Sequence, residues 1–206
     1  MAKKSVDLNK LGGRVLSNAR DCWSSFVAWD RFSSGRETSE IEGLLRVSGW
    51  SFLPFEAHLS ADVVIRLAIL FDSRYANQAS FHAYRKAGGA LSNVDSAHKN
   101  RLTNLLKVRH HAVAHWNAEQ SVAEWIAASG LKFEDVKQLL GEVRRLHDEL
   151  LALELASPPD TFEILRVQTL AKVDAFVDVL RDGARFKLVE PNARERAKTY
   201  YSFGSQ

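Results

Sequence analysis

From Asp7 to about Phe32 the apolar residues Leu8, Leu11, Val15, Ala19, Cys22, Trp23, Phe26 and Val27 recur at three- and four-residue steps. That spacing lines them along one stripe of an α-helix and does not fit the two-residue alternation of a half-buried strand. The same period returns in Phe133, Val136, Leu139, Leu140, Val143, Leu146, Leu150 and Leu153, which predict an amphipathic helix from Phe133 to Leu155. A last long helix is predicted from Thr161 to about Leu180. Between these two, Ser157-Pro158-Pro159-Asp160 cannot continue a helix, and Asp160 is placed to cap the next one.

Other boundaries follow from similar signals. Gly49 to Pro54 reads as an aromatic-rich loop, and Pro54 suits the first turn of a helix that starts there or at Phe55 and runs to Phe71-Asp72. Short helices are predicted over Ser39–Val47, Ser80–Lys86 and Ser121–Ala127, the second closed by Gly88-Gly89. Asn93 or Asp95 can cap a further helix from Ser96 to Trp116. With only eleven Gly and four Pro in 206 residues, helices joined by short turns are favoured over a sandwich or barrel. The expected fold is all-α, a helical bundle with additional short helices. Residues 1–206 are expected to form a single domain, since 46% hydrophobic side chains suffice for one sizeable core. For the tail, about 182–206, packing, reaching a partner and staying mobile are all open.

Cys22 is the lone cysteine, which excludes a disulfide framework and a cysteine-based zinc site. The basic N-terminus lacks the apolar core of a signal peptide, and the best apolar run, Val63 to Phe71, is cut by Arg66. A cytoplasmic protein without membrane insertion is expected. A formal charge of +3 is a mild bias that excludes little.

The charge is unevenly spread. From His98 to Trp116 the chain carries Lys99, Arg101, Lys107 and Arg109 and no Asp or Glu, so its local field favours a polyanion. Within this stretch Arg109, His110, His111 and His115 bring a guanidinium and three imidazoles together. On a helical wheel Arg109 falls among Leu102, Leu105, Leu106, Ala112, Val113 and Trp116, in the middle of the apolar stripe. A guanidinium there needs either a buried carboxylate, with Asp62 and Asp72 as candidates, or a place in a cleft or interface. His111 and His115 share a face with Asn104. As a metal pair they lack a third ligand, and the helical metalloprotease pattern would put Glu where Ala112 stands. No metal or other cofactor is expected.

Arg109, the polar His110 and, after four further residues ending in Ala114, His115 resemble the Arg-polar-x4-His signature of HEPN domains (higher eukaryotes and prokaryotes nucleotide-binding). Upstream, Arg66-Leu67-Ala68-Ile69-Leu70-Phe71-Asp72 followed by Ser80-Phe81-His82 is similar to segments that precede the signature in the abortive-infection (Abi) branch. The likeness covers a core of about residues 50–155. The usual Asn or Asp after the arginine is replaced here by His110.

The resemblance implies a compact helical bundle, a homodimer and, in many members, a metal-independent endoribonuclease acting in phage defence or as the toxin of a toxin-antitoxin pair. His115 would carry the acid-base role, Arg109 would stabilise the scissile phosphate, and His110 would support the two. Candidate substrate contacts are His111, Lys107, Asn104, Arg66 and Asp72, the last two having a helix-fixing salt bridge as their alternative role. RNA supplies its own nucleophile, the 2′-hydroxyl, so a titratable imidazole and a fixed cation can cleave it without a metal. RNA and an antitoxin protein are the partners implied. Two other readings stand beside this one. The first is a catalytically inactive HEPN-like module binding RNA, a nucleotide or a partner protein; the second is a metal-dependent hydrolase using His111, His115 and His58 or Asp72. Arg109 locked onto an internal carboxylate, together with His115 in open solvent, would remove the nuclease reading.

Overall fold

The computed structural model describes residues 7–33, 43, 52–73, 79–114, 128–153 and 160–189. Along them run α1 (Leu8–Ser33), α2 (Phe52–Phe71), α3 (Phe81–Lys86), a 3₁₀ turn (Ser96–His98), α4 (Lys99–Ala114), α5 (Phe133–Ala152) and α6 (Thr161–Val189). The described residues contain no strand, and the fold is all-α. None of their helices is long and apolar enough to cross a membrane.

Local polar chemistry sets the helix starts. The Asp7 carboxylate accepts the Lys10 N–H at 3.1 Å, Ser80 Oγ accepts that of Ala83 at 3.1 Å, Asp95 that of Ala97 at 2.9 Å, and Asp160 that of Glu163 at 3.1 Å. Each satisfies a donor that the first helical turn leaves without a partner. After α3 the chain turns at Gly88, whose φ of 100° is open to glycine at little cost.

Three boundaries differ from expectation. Helix α2 begins at Phe52, inside the expected loop; Pro54 is tolerated because a third-position N–H has no intrahelical acceptor in any case. Helix α5 ends at Ala152, leaving Leu153, assigned to the apolar stripe, 53% exposed. Helix α6 continues beyond Leu180 to Val189 and takes in residues 182–189 of the expected tail. Ala184, Arg185, Lys187 and Leu188 favour helix, and Gly183 alone does not outweigh them before Pro191. The helices expected at Ser39–Val47 (residue 43 apart) and Ser121–Ala127, together with Trp116 and the chain from 190 onward, lie outside the described residues.

Helix α1 lies at the centre, against α2, α6, α5 and α3, while α4 packs on α2 and α5. The main core joins Val15, Ala19 and Cys22 of α1, Val63, Leu67 and Leu70 of α2, Leu105 and Val108 of α4, and Leu139, Val143, Leu146 and Leu150 of α5. Burying each large aliphatic side chain contributes about 1.5–3 kcal/mol. Burial also pushes the Cys22 thiol pKa far up, which makes it an inert apolar filler. A smaller cluster of Phe32, Val173, Val177 and Leu180 seats α6 on the end of α1.

The approach to α4 is fixed by α5. Glu149 accepts the Ser92 N–H and hydroxyl, both at 2.6 Å, Glu142 accepts the Asp95 N–H at 2.9 Å, and Arg145 donates to the Asn93 carbonyl at 3.0 Å. Burial tends to raise the Glu142 pKa, but hydrogen bonds from Arg145 and the Asp95 N–H, with the Arg145 charge, hold it below the usual carboxylate value. The first turn of α4 is therefore pinned where it starts.

Candidate functional site

On α4 the buried side is formed by Leu105, Val108 and Arg109. Leu102 and Leu106, expected on the apolar stripe, are half-buried, so the inward face is rotated toward Val108. Arg109 is only 8% exposed, and its Nη1 pairs with Oδ2 of Asp72, which is 1% exposed. Burial lowers the Arg109 pKa from its ordinary value. A guanidinium nevertheless remains cationic at ordinary pH, so Asp72 meets a permanent charge.

Asp72 stands just past the end of α2. Its backbone carbonyl accepts the Ser80 hydroxyl at 3.1 Å, and the same hydroxyl oxygen caps α3. The end of α2, the start of α3 and the middle of α4 are thus tied through two residues. The two sequence segments that resembled HEPN domains meet here, Asp72 and Ser80 from the upstream segment and Arg109 from the signature.

Arg66 does not join them. Its guanidinium engages Asp62 at 2.7 Å and Asp21 at 3.5 Å, fixing α2 to α1. Asp62 is therefore committed to Arg66, and also accepts from Ser25, which leaves Asp72 as the carboxylate that meets Arg109. Both Arg66 and Asp72 take helix-fixing salt bridges, each with a different partner. Lys107 is exposed and lies about 160° around α4 from Arg109, so the two cations face opposite sides. Lys99 is likewise exposed, and Asn104 is half-buried. His110 and His111 belong to the α4 backbone, while their side chains and the whole of His115 lie outside the described residues. Among the described residues, no group of three or more His, Cys, Asp and Glu could hold a metal ion.

A further buried polar residue, His147, was missed in the sequence. His147 of α5 is 0% exposed and edge-on to Phe162, with ring centroids 4.6 Å apart. Arg20 Nε donates to its Nε2 at 3.4 Å, and Nδ1 lies 3.0 Å from Asp148 Oδ1. This network assigns the proton to Nδ1 and a neutral ring. Its place between Val143 and Leu150 on the inward face was the available signal.

Burial lowers the His147 pKa; the Asp148 hydrogen bond and charge oppose this, and the Arg20 charge adds to it. With a folded-state pKa below the unfolded one near 6.5, the unfolded chain binds more protons in acid. The stability contribution is therefore present above the unfolded value and is lost as pH falls from there toward the folded value. Thermal unfolding between pH 7.5 and 5 should show this loss, and His147→Gln, which cannot titrate, should flatten that part of the profile. An unchanged profile in the variant would exclude His147 as its source.

Compared with known proteins, the chain matches no family model, no curated protein and no solved structure.

Proposed function

We propose that this chain is a metal-independent endoribonuclease of the HEPN type, acting as a homodimer in phage defence or as a toxin held by an antitoxin. The carrying observation is the meeting of Arg109 and Asp72, which brings the two HEPN-like segments to one point on α4. In this reading the buried pair anchors the histidine-bearing end of α4. His115 takes the 2′-hydroxyl proton, and negative charge on the phosphorane is stabilised by Arg109, with His110 in support. RNA is the substrate, and the exposed Lys99 and Lys107 supply phosphate contacts on the outer face of α4.

One observation favours the second reading, a catalytically inactive HEPN-like module binding RNA, a nucleotide or a partner protein. Arg109 is already buried and its charge already met, which is half of the circumstance that removes the nuclease reading. Incubating the purified chain with single-stranded and structured RNA in excess chelator separates the two. The nuclease reading expects fragments with cyclic-phosphate or 2′/3′-phosphate ends, reduced by about 100-fold or more in a folded His115→Ala variant. Retained binding without cleavage assigns the inactive module, and cleavage that chelator abolishes assigns a metal-dependent hydrolase.

A further inference from the structure

A half-open groove of about 470 Å³ runs between α1, α5 and α6, on helices that carry none of the HEPN-like signature. We propose that this groove binds a small amphipathic organic anion, an apolar body bearing a phosphate or carboxylate. Its size suits such a ligand and is too small for a packed helix.

The groove's apolar wall is made by Trp23, Phe26, Leu140 and Leu170. The Trp23 indole N–H is committed to the Phe162 carbonyl at 3.1 Å, so what Trp23 offers a ligand is ring surface. Four cations, Arg31, Lys137, Arg144 and Arg166, line the same groove, against Asp30 as the one acid among its lining residues. The carboxylates that engage the three arginines, Asp174 for Arg31, Asp160 and Asp148 for Arg144, and Glu163 for Arg166, are outside the lining and about half-exposed. Lys137 lies 3.9 Å from Asp30, both of them 45% exposed. Glu163 holds Arg166 through two bonds, at 2.8 and 2.7 Å, whereas Lys137 with Asp30 and Arg144 with Asp160 are single exposed contacts of a kind that contributes little, so an incoming carboxylate or phosphate can exchange for those.

Gly141 places a residue without a side chain on the same wall. It lies in the interior of α5, on the groove wall, and is not among the glycines with positive φ. A Cβ built there would meet no heavy atom within 4 Å, so neither packing nor backbone geometry requires glycine. Glycine inside a helix is destabilising relative to alanine. Its effect in the fold is to keep the groove open beside the cations.

The test titrates the full chain with octanoate and with adenosine monophosphate by calorimetry, using octanol and adenosine as neutral controls. One of the two anions is expected to bind saturably below millimolar concentration, at least tenfold more tightly than its neutral counterpart. Octanoate would assign an aliphatic carboxylate, and the nucleotide an aromatic phosphate. Gly141→Leu should abolish binding with an unchanged or raised Tm, and the exposed pair Lys137→Gln with Arg166→Gln should weaken it tenfold or more. Absence of binding by both anions, or wild-type binding in folded Gly141→Leu, would overturn the proposal. RNA cleavage does not enter this readout, so it stands or falls separately from the nuclease reading.

Discussion

Replacing Asp72 with alanine is expected to destabilise the fold by about 3–5 kcal/mol, because it leaves the buried Arg109 guanidinium without its carboxylate. In a chain of this length that corresponds to a fall in Tm of roughly 6–20 °C. Loss of the charge partner is the main contribution. The Ser80 bond to Asp72 is made by the backbone carbonyl and survives the substitution. The effect should therefore be undone by removing both charges. Asp72→Leu combined with Arg109→Met replaces the pair with apolar groups of similar size and should recover most of the loss, since buried ion pairs seldom outperform good packing. Circular dichroism melts of the single and double variants measure this directly. If Asp72→Ala melts like the wild type, the pair is not holding α4 to the end of α2. In the rescued double variant, RNA cleavage separates anchoring from chemistry. A folded chain without activity places the Arg109–Asp72 pair in the reaction, whereas retained activity confines both to the fold.

Phe162→Ala should be comparably damaging, at about 3–5 kcal/mol. Phe162 is fully buried near the start of α6 and meets Trp23 edge-on at 5.0 Å and His147 at 4.6 Å. Among the described side chains of α6 it is the one that enters the main core, the other buried ones forming the separate cluster with Phe32. Truncation would open a cavity beneath an indole and an imidazole that are themselves hydrogen-bonded in place, so collapse around it is hindered. Phe162→Leu keeps most of the volume and should cost less than about 1.5 kcal/mol. The midpoint of urea unfolding, followed by tryptophan fluorescence, distinguishes the two. A loss below about 1 kcal/mol for Phe162→Ala would mean that α6 is seated by its second cluster alone.

The helices were legible where a local signal was strong. An unbroken apolar period, with Asp7 before it, predicted Asp7 to Phe32, and the helix spans Leu8–Ser33. Asp160 after two prolines predicted the start at Thr161, and Ser80 with Gly88-Gly89 bracketed α3. Boundaries failed where the signal was weak. No residue stops α6 near Leu180, and Pro54 is compatible with several positions in a first turn. At the candidate site Arg109 stood out as a charge on an apolar face, yet the wheel could not choose between Asp62 and Asp72. That choice depends on where Arg66 goes, and Arg66 turns to α1. His147 was legible only as a polar residue at an inward position of α5, and Gly141 interrupts no period.

Helical class, most helix starts and the acid-free basic stretch of α4 were determined by the sequence alone, since period, capping and local charge act between residues a few positions apart. The tertiary structure alone decided that Asp72 meets Arg109, that Lys107 faces away from it, that His147 is buried neutral, and that three helices enclose a cation-rimmed groove. These outcomes depend on how rigid helices distant in sequence are brought together by the core. No pattern within a single helix carries that information.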